Sequence, residues 1–445
     1  METRSTGDDN MKKYFLLTYG CQMNELDSEK MAGILEENGW DSAEALDNAD
    51  LVILNTCCVR AKAEEKVKGK LGQLKKLKLG NPHLLIGIGG CMMQQDNVGE
   101  KFLQQFPFVD FIFGPHTMDR LNEIVEKSCT GRVLELEADR FDVPRLPIKR
   151  ESSFRAWVSI IKGCENFCAY CIVPYVRGKE VSRPPAEIVA EVEEQIESGV
   201  KEVVLLGQNV NAYGRDTGKV DFGRLLKKVN QVPGLERLRF MTSHPRDFSL
   251  KLVDAISEMP RVCEHLHLPI QAGSNRILKK MNRGYTREDY LRLVEHIRNK
   301  IPGASITTDI IVGFPGETDE DFALTMDVVE KARFTSAFTF LYSPREGTPA
   351  ANYSEQVPGE VKRERLNYLM KRQNQISLDY NQVLMGTVTE IMVEGPSKKD
   401  SEFYMGRTRT NRPVVFSGKA HPGSLQQVKL TDCNAHTLYG ELQED

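Results

Sequence analysis

The chain has 445 residues, 40% of them hydrophobic and 27% charged, with a formal net charge of -4. That length suits about three domains and excludes a peptide or lone small module; no apolar run reaches the ~20 residues that cross a bilayer, so no membrane partner is expected. The charge argues against a generally basic nucleic-acid coat, and ten cysteines are too sparse for a disulfide scaffold, so with a polar, acidic start from Met1 to Asn10 the expectation is a cytoplasmic chain whose reduced thiols are free to bind metal.

Over residues 12–128 short apolar runs at 14–18, 51–54, 84–88 and 110–113 alternate with helical patterns at 25–38, after 58 and at 118–127. Strands separated by helices imply parallel pairing through right-handed crossovers, a small α/β sheet. The pattern fades over 129–152, where Pro144, Pro147 and mixed charge read as a linker and 131–136 as a stray strand. A longer alternation fills 153–380, with strands expected at 157–161, 202–206, 238–241, 265–268, 306–312 and 337–342 and helices near 185–198, 222–231, 249–257, 274–281, 287–300 and 319–332. Six β/α units are too few for a closed eight-stranded barrel and suit a partial one. After a charged helix at 360–379, residues 381–445 are short strands broken by Gly386, Gly395, Gly406, Gly418, Gly423 and Gly440, the pattern of a small antiparallel OB-like β-barrel.

The strongest chemical signal is Cys164-Glu-Asn-Phe-Cys168-Ala-Tyr-Cys171, a CxxxCxxC loop after an apolar strand. Three thiolates this close can hold three irons of a 4Fe-4S cluster and leave the fourth open to a small ligand. A structural zinc site would need a fourth ligand from elsewhere. Polar residues follow the other barrel strands: Gln208 and Asn209, then Ser243 and His244, then Gln271, then Asp309 to Glu317. By the strand-end rule they face the same mouth as the cysteine loop. Three apolar runs of the first region end within a few residues in Cys21, Cys57 and Cys91. Parallel strands would bring those ends together, at the edge where open α/β sheets bind ligands. The alternative is three buried thiols acting as small apolar groups. Arg177 and Lys179 suit a ligand carboxylate, a phosphate or a solvated loop.

The cysteine loop, with Tyr170 before its last cysteine, resembles the signature of the radical S-adenosylmethionine (SAM) superfamily. The resemblance implies that SAM chelates the open iron and is cleaved to a 5'-deoxyadenosyl radical, so that no acid/base dyad is required. It makes Tyr170, Gln208, Asn209, Ser243, Gln271 and Asp309 the candidate SAM contacts. The strings TYGCQMNELDS, NTCCVRAKAEEK, GIGGCMMQ, GCENFCAYCIVPYVRGKEVSRP and LLGQNVNAYG resemble, in order and along nearly the whole chain, the methylthiotransferase family. That resemblance implies a second 4Fe-4S cluster on Cys21, Cys57 and Cys91, two SAM molecules (one methylating a sulfur carried at the auxiliary cluster, one supplying the radical), an electron donor such as flavodoxin or ferredoxin, and a sulfur and cluster supply system. It further implies an N-terminal sheet that caps the barrel mouth. Cys58, one residue out of register, is left unassigned, and Cys129, Cys263 and Cys433 match no motif and read as structural thiols.

The family divides by substrate between tRNA adenosines and a ribosomal-protein aspartate. Residues 382–430 resemble a TRAM domain, a small RNA-binding barrel. From Lys362 to Lys429 there are 12 Lys/Arg against 6 Asp/Glu, and from Arg60 to Lys78 there are 8 against 2. Either stretch alone suits a solvated surface; two on an acidic chain point to a polyanion. The run Gly406-Arg-Thr-Arg-Thr-Asn-Arg-Pro-Val-Val-Phe416 resembles the GRTxxNRxVxF element of the MiaB-type tRNA methylthiotransferases, with Val415 where many members carry Asn. The resemblance implies methylthio insertion at C2 of N6-isopentenyladenosine beside the anticodon. The tRNA anticodon stem-loop would be held by Arg407, Arg409, Asn411 and Arg412, and the base unstacked for reaction. Competing expectations are methylthiolation of threonylcarbamoyladenosine or of the ribosomal aspartate, and a non-enzymatic iron-sulfur RNA-binding sensor.

Overall fold

The computed structural model describes residues 12–58, 61–137, 145–397 and 400–443. The acidic start from Met1 to Asn10, Arg60 of the first basic stretch, Pro144 of the linker, and Lys398 and Lys399 of the second basic stretch lie outside the described residues. The chain forms two compact units, one of residues up to 151 together with 172–181, the other of 152–171 together with 182–445.

In the first unit β1 (Lys13–Tyr19), β2 (Asp41–Ser42), β3 (Leu51–Thr56), β4 (Leu85–Gly90), β5 (Phe111–Phe113) and β6 (Val133–Glu135) pair in the order β2-β1-β3-β4-β5-β6. Every pair is parallel. Helices α1 (Gln22–Glu37), α2 (Ala61–Gly80), α3 (Val98–Gln105) and α4 (Leu121–Ser128) make the crossovers. Strand β3 reads Leu-Val-Ile-Leu because both of its faces are covered. Val52 and Leu54 join Val67, Leu71 and Leu74 of α2 in one core, while Leu51 and Ile53 join Met31, Ile34 and Leu35 of α1 in the other. Between β4 and β5 the packing depends on missing side chains: a Cβ on Gly87 or Gly89 would lie 2.1 or 2.3 Å from the rings of Phe111 and Phe113. Residues 131–136 contribute β6, which pairs with β5 from Phe111↔Val133 to Phe113↔Glu135.

Helix α5 (Val173–Arg177) also lies in the first unit. In the second unit β7 (Arg155–Ser159) is followed by the two-residue β8 (Ile161–Lys162), and β9 (Val181–Ser182) precedes α6 (Pro185–Glu197). Then β10 (Glu202–Leu206), β11 (Arg237–Phe240), β12 (His265–His267), β13 (Ser305–Val312) and β14 (Ser336–Leu341) alternate with α7 (Phe222–Asn230), α8 (Leu250–Ser257), α9 (Asn275–Lys280), α10 (Arg287–Lys300) and α11 (Asp319–Ala332). Two parallel sheets, β7-β10-β11 and β12-β13-β14, are joined by a parallel bridge between Leu238 and Val262, so six strands follow one another in chain order. This is the expected partial (β/α)6 barrel. Ala156, Val158, Val203, Leu205, Leu238 and Phe240 pack outward on the helices; by strand alternation Arg155, Glu202, Arg237 and Arg239 point to the inner face. Thr286 and Thr318 start α10 and α11 with capping boxes to Asp289 and Asp321.

Helix α12 (Gly359–Gln382) leads into a closed barrel of β15 (Val388–Pro396), β16 (Phe403–Thr408), β17 (Pro413–Ser417), β18 (Leu425–Cys433) and β19 (Leu438–Leu442), in the order β15-β16-β17-β19-β18. Four of its pairs are antiparallel and β17–β19 is parallel. A ring of five strands cannot alternate direction all the way round, so one parallel pair is unavoidable. Among the described residues no helix is long and apolar enough to cross a membrane.

The small barrel docks on the amino-terminal strand ends of the large one through buried charge. Glu202 accepts from Arg155 Nε at 2.5 Å and Arg239 Nε at 2.7 Å. Arg155 reaches Glu394 at 2.7 Å, Arg237 reaches Glu390 at 2.8 Å and the Arg407 carbonyl at 2.7 Å, and Arg239 reaches the carbonyls of Thr408 and Arg409 at 2.9 and 2.8 Å. Burial alone would raise the Glu202 carboxyl, but Arg239 and Arg155 outweigh it and hold it down at about 2. Its folded value lies below the unfolded one, so it stabilises the fold above pH 4.5, and that contribution is lost as pH falls from there towards 2. Glu202→Ala should cost ~3–5 kcal/mol, because two buried guanidinium groups lose their partner. Denaturant unfolding of this unit measures the loss, and Glu202→Gln should flatten the acid limb of its stability profile.

Candidate metal and cofactor sites

Parallel register aligns the strand ends of the first unit. Tyr19 pairs with Thr56, and Thr56 with Gly90, so these three residues form one row across β1, β3 and β4. Cys57 and Cys91 follow that row directly, and Cys21 lies one residue beyond Gly20 as the extended N-cap of α1. Gly90 has φ +97, and a Cβ there would lie 2.4 Å from the Thr56 carbonyl oxygen, so only glycine turns the chain into Cys91. Behind the row lies a buried amide network. The Asn24 amide donates to Asn55 Oδ1 at 3.1 Å and the Thr56 carbonyl at 3.2 Å, Asn55 donates to the Asn24 carbonyl at 2.8 Å and Ser28 Oγ at 2.9 Å, and the Thr56 hydroxyl donates to the Gly89 carbonyl at 2.6 Å. Asn24, Asn55 and Thr56 escaped the reading of the sequence; their signal was polarity inside otherwise apolar strand and helix faces.

The thiols interact in pairs. A bond from Cys57 is the main influence on Cys21 and, against the effect of burial, lowers that thiol to about 6. Cys58 acts likewise on Cys91, which is also lowered, with burial opposing and the Arg177 charge assisting. The unassigned Cys58 therefore packs beside Cys91, Ile172 and Val176. Thiolate is the form that binds metal. Arg177, open to three readings from the sequence, is buried against Cys91 and Asp27, whereas Lys179 is exposed. Among the described residues no group of three or more His, Cys, Asp or Glu side chains is spaced to hold one metal ion; an iron-sulfur cube spreads its three thiolates over three separate irons. Cys129 is exposed, Cys263 buried and Cys433 half-buried.

In the second unit the loop after β8 buries Cys164 and Cys168 and leaves Cys171 half-buried. Phe167 takes φ +44, a left-handed conformation that a bulky residue adopts only under constraint. The constraint is visible: the Asn282 amide donates to the Phe167 carbonyl at 3.0 Å, Ala169 N–H to Met281 at 2.9 Å, and Ala350 N–H to Ala169 at 2.9 Å. Arg283, which no motif signalled, donates to Cys168 Sγ and to the Tyr170 hydroxyl, both at 3.3 Å, and to the Pro269 carbonyl at 2.8 Å. Burial holds the Tyr170 phenol well above its usual range despite Arg283.

The expected SAM contacts sit at neighbouring strand ends. Asn209 donates to Asp247 at 2.5 Å, Asp247 is paired with Arg246, and Arg246 bonds Asn166 within the cysteine loop. Gln208 Oε1, Asn209 Oδ1, both amide atoms of Asn211, Ser243 Oγ and His244 Nε2 are buried without a protein partner. Such orphan atoms are uncommon, because each costs its desolvation energy; a polar ligand would satisfy them. His244 is driven by burial, then by Arg283, to about 2 and is neutral. Its Nδ1 accepts from Arg246 N–H at 3.2 Å, so Nε2 carries the proton and is a donor. Gln271 has φ +70 and is tied to β13, its N–H donating to the Asp309 carbonyl at 2.8 Å. The Asp309 carboxylate lies 3.5 Å from His267 Nε2. Arg283 and Asn211 thus lie beside the expected residues, and His244 keeps the strand-end place read for it.

The four candidate RNA residues bind the chain itself. Arg407 reaches Glu394 at 3.0 Å and the Asn411 carbonyl at 3.3 Å. Arg409 forks onto Glu264, at 2.9 Å from Nε and 2.7 Å from Nη2, and also reaches the carbonyls of Pro260 and Val262. Arg412 bonds the Tyr380 carbonyl at 3.2 Å and Asn381 Oδ1 at 3.1 Å, over the Tyr380 ring. Asn411, at φ +64, makes the turn between them. The other basic stretch forms α2, whose Val67, Leu71 and Leu74 are buried while Lys66, Lys68, Lys75 and Lys76 are exposed.

Three family profiles match successive parts of the chain. The Radical SAM superfamily profile matches residues 158–329, the profile described as Uncharacterized protein family UPF0004 matches 13–114, and the TRAM domain matches 382–443. A solved radical S-adenosylmethionine methyltransferase, TsrM from Kitasatospora setae, shares the fold with a TM-score of 0.55 at 15% identity, over 77% of this chain and 74% of that one. The tRNA-2-methylthio-N(6)-dimethylallyladenosine synthase of Thermoanaerobacter pseudethanolicus is 51% identical over 97% of this chain and 93% of its own length. That of Pelotomaculum thermopropionicum is 53% identical over 97% and 98%. With half of its residues identical to theirs from end to end, the chain belongs to the radical SAM family of tRNA-2-methylthio-N(6)-dimethylallyladenosine synthases.

Proposed function

We propose that this chain inserts a methylthio group at C2 of N6-dimethylallyladenosine beside the anticodon of tRNA. The observation that carries the reading is the pair of three-cysteine sets, each at the carboxyl ends of parallel strands. Cys164, Cys168 and Cys171 hold the radical SAM cluster in this reading, and Cys21, Cys57 and Cys91 a second one. When bound, these groups and two SAM molecules supply a 5'-deoxyadenosyl radical, a methyl group and the sulfur it is joined to.

The chain's own residues bind, orient and shield. Gln208, Asn209, Ser243 and His244 offer unpaired donors and acceptors of both kinds, suited to the ammonium, carboxylate and ribose hydroxyls of SAM. Tyr170, Gln271 and Asp309 complete that set, Tyr170 held through Arg283 and Gln271 through the backbone of Asp309. Arg409 and Arg412 tie the RNA-binding barrel to Glu264 and to α12, Arg407 braces it from within and Asn411 makes the turn, and these four half-buried residues offer their remaining edges to the anticodon stem-loop. A flavodoxin- or ferredoxin-type electron donor and a sulfur and cluster supply system complete the reaction, which with tRNA as substrate runs in the cytoplasm.

Nucleosides from a deletion strain give the direct test: 2-methylthio-N6-dimethylallyladenosine should vanish while its unmodified precursor accumulates. Loss of methylthio-aspartate or of methylthiolated threonylcarbamoyladenosine instead would overturn the reading. Anaerobic iron analysis should find about eight irons in the wild type and about four in a Cys164→Ala/Cys168→Ala/Cys171→Ala variant; an iron-free variant would remove the second cluster. For the RNA contact, Arg409→Ala should weaken tRNA binding more than Glu264→Gln, which loosens the same fork but keeps the positive charge. Equal losses in a binding titration would assign Arg409 to barrel docking alone.

A further inference from the structure

We propose that Arg177 is a positioning residue of the auxiliary site, fixing the Cys91 thiolate and raising the reduction potential of the cluster held there. The inference rests on the reading that Cys21, Cys57 and Cys91 carry a cluster. Arg177 is six residues beyond Cys171 in the chain, yet the segment 172–181 packs in the first unit. Ile172 and Val176 pack against Cys58 and Cys91, and the Val176 carbonyl is bonded to His116 Nε2 at 3.0 Å. This pins the short α5, whose last residue is Arg177.

The Arg177 side chain is 7% exposed. Its Nε–H donates to Cys91 Sγ at 3.0 Å and its Nη2 to Asp27 Oδ2 at 2.6 Å, with Asp27 in α1 equally buried. A buried guanidinium without a partner would be costly. Asp27 offsets that cost and, by taking one edge of the planar fork, turns the Nε edge toward sulfur. A donor and a positive charge at a cluster thiolate favour the reduced, more negative state, and hydrogen bonds to sulfur are among the determinants of cluster potential. The stretch that leaves one cysteine set therefore supplies the partner that conditions the other.

The test uses the full chain carrying Cys164→Ala/Cys168→Ala/Cys171→Ala, in which only the auxiliary cluster remains, and follows a redox titration by electron paramagnetic resonance. Adding Arg177→Gln with Asp27→Asn, a neutral pair of similar size, should lower the potential by about 59 mV or more, a tenfold shift in the one-electron equilibrium. Asp27→Asn alone keeps the guanidinium at Cys91 and should not lower it. An unchanged potential with iron retained overturns the assignment. Iron lost from the neutral pair but kept by Arg177→Lys, at an unaltered melting temperature, supports positioning. Loss of iron and of thermal stability together in both variants overturns it in favour of a purely structural role. Absence of iron from the triple-cysteine background itself, with Arg177 intact, sinks the second cluster and is distinguishable from all of these.

Discussion

Parallel pairing is the constraint on which both candidate sites depend. Strands joined by right-handed crossovers all finish on the same edge of their sheet, so whatever follows each strand meets its counterparts there. In the first unit the register row Tyr19–Thr56–Gly90 delivers Cys21, Cys57 and Cys91 to one edge from positions far apart in the chain. In the second, the same rule places the cysteine loop that follows β7 and β8, and the polar residues after β10 and β11, on the carboxyl side of the barrel. In the first unit helical crossovers cover both faces of the sheet and leave that edge for chemistry, which is why β3 begins as a continuous apolar run.

The opposite ends of the barrel strands carry a different burden. Glu202, Arg155, Arg237 and Arg239 point inward at the amino-terminal end, where they tie the small barrel in place. Buried ions of this kind contribute little net stability but strongly penalise alternatives in which one partner is missing. They therefore set where the small barrel sits rather than how tightly the chain folds. Arg409 extends the arrangement from the other side by forking onto Glu264. Arg177 with Asp27 repeats the principle in the first unit, where the neutralised cation is spent on a sulfur instead of a domain contact.

Much of this was legible in the sequence. The α/β alternation, the six barrel strands and the closing small barrel follow from hydrophobic periodicity and glycine punctuation, which act locally. The CxxxCxxC loop could be read because its ligands are neighbours in the chain. Cys21, Cys57 and Cys91 could be read because each follows an apolar strand, so topology converts a linear pattern into a shared edge. Arg283 could not, since its value lies in reaching Cys168 and Tyr170 across a turn whose path no local pattern describes.

The arginines of the Gly406–Phe416 run show where reading stops. Their motif resembles that of an RNA-binding barrel, but charge alone does not say which acceptor a guanidinium meets, and Arg407, Arg409 and Arg412 meet Glu394, Glu264 and Asn381 of the same chain. Arg177 had three readings in sequence and one in the fold. The sequence by itself determined the element order, the fold class and the placing of both candidate cysteine sets after strands, because periodicity and spacing are properties of neighbours along the chain. Tertiary structure alone decided the partners of the buried charges and the orphan polar atoms at the strand ends, because desolvation and hydrogen bonding depend on what lies nearby in space.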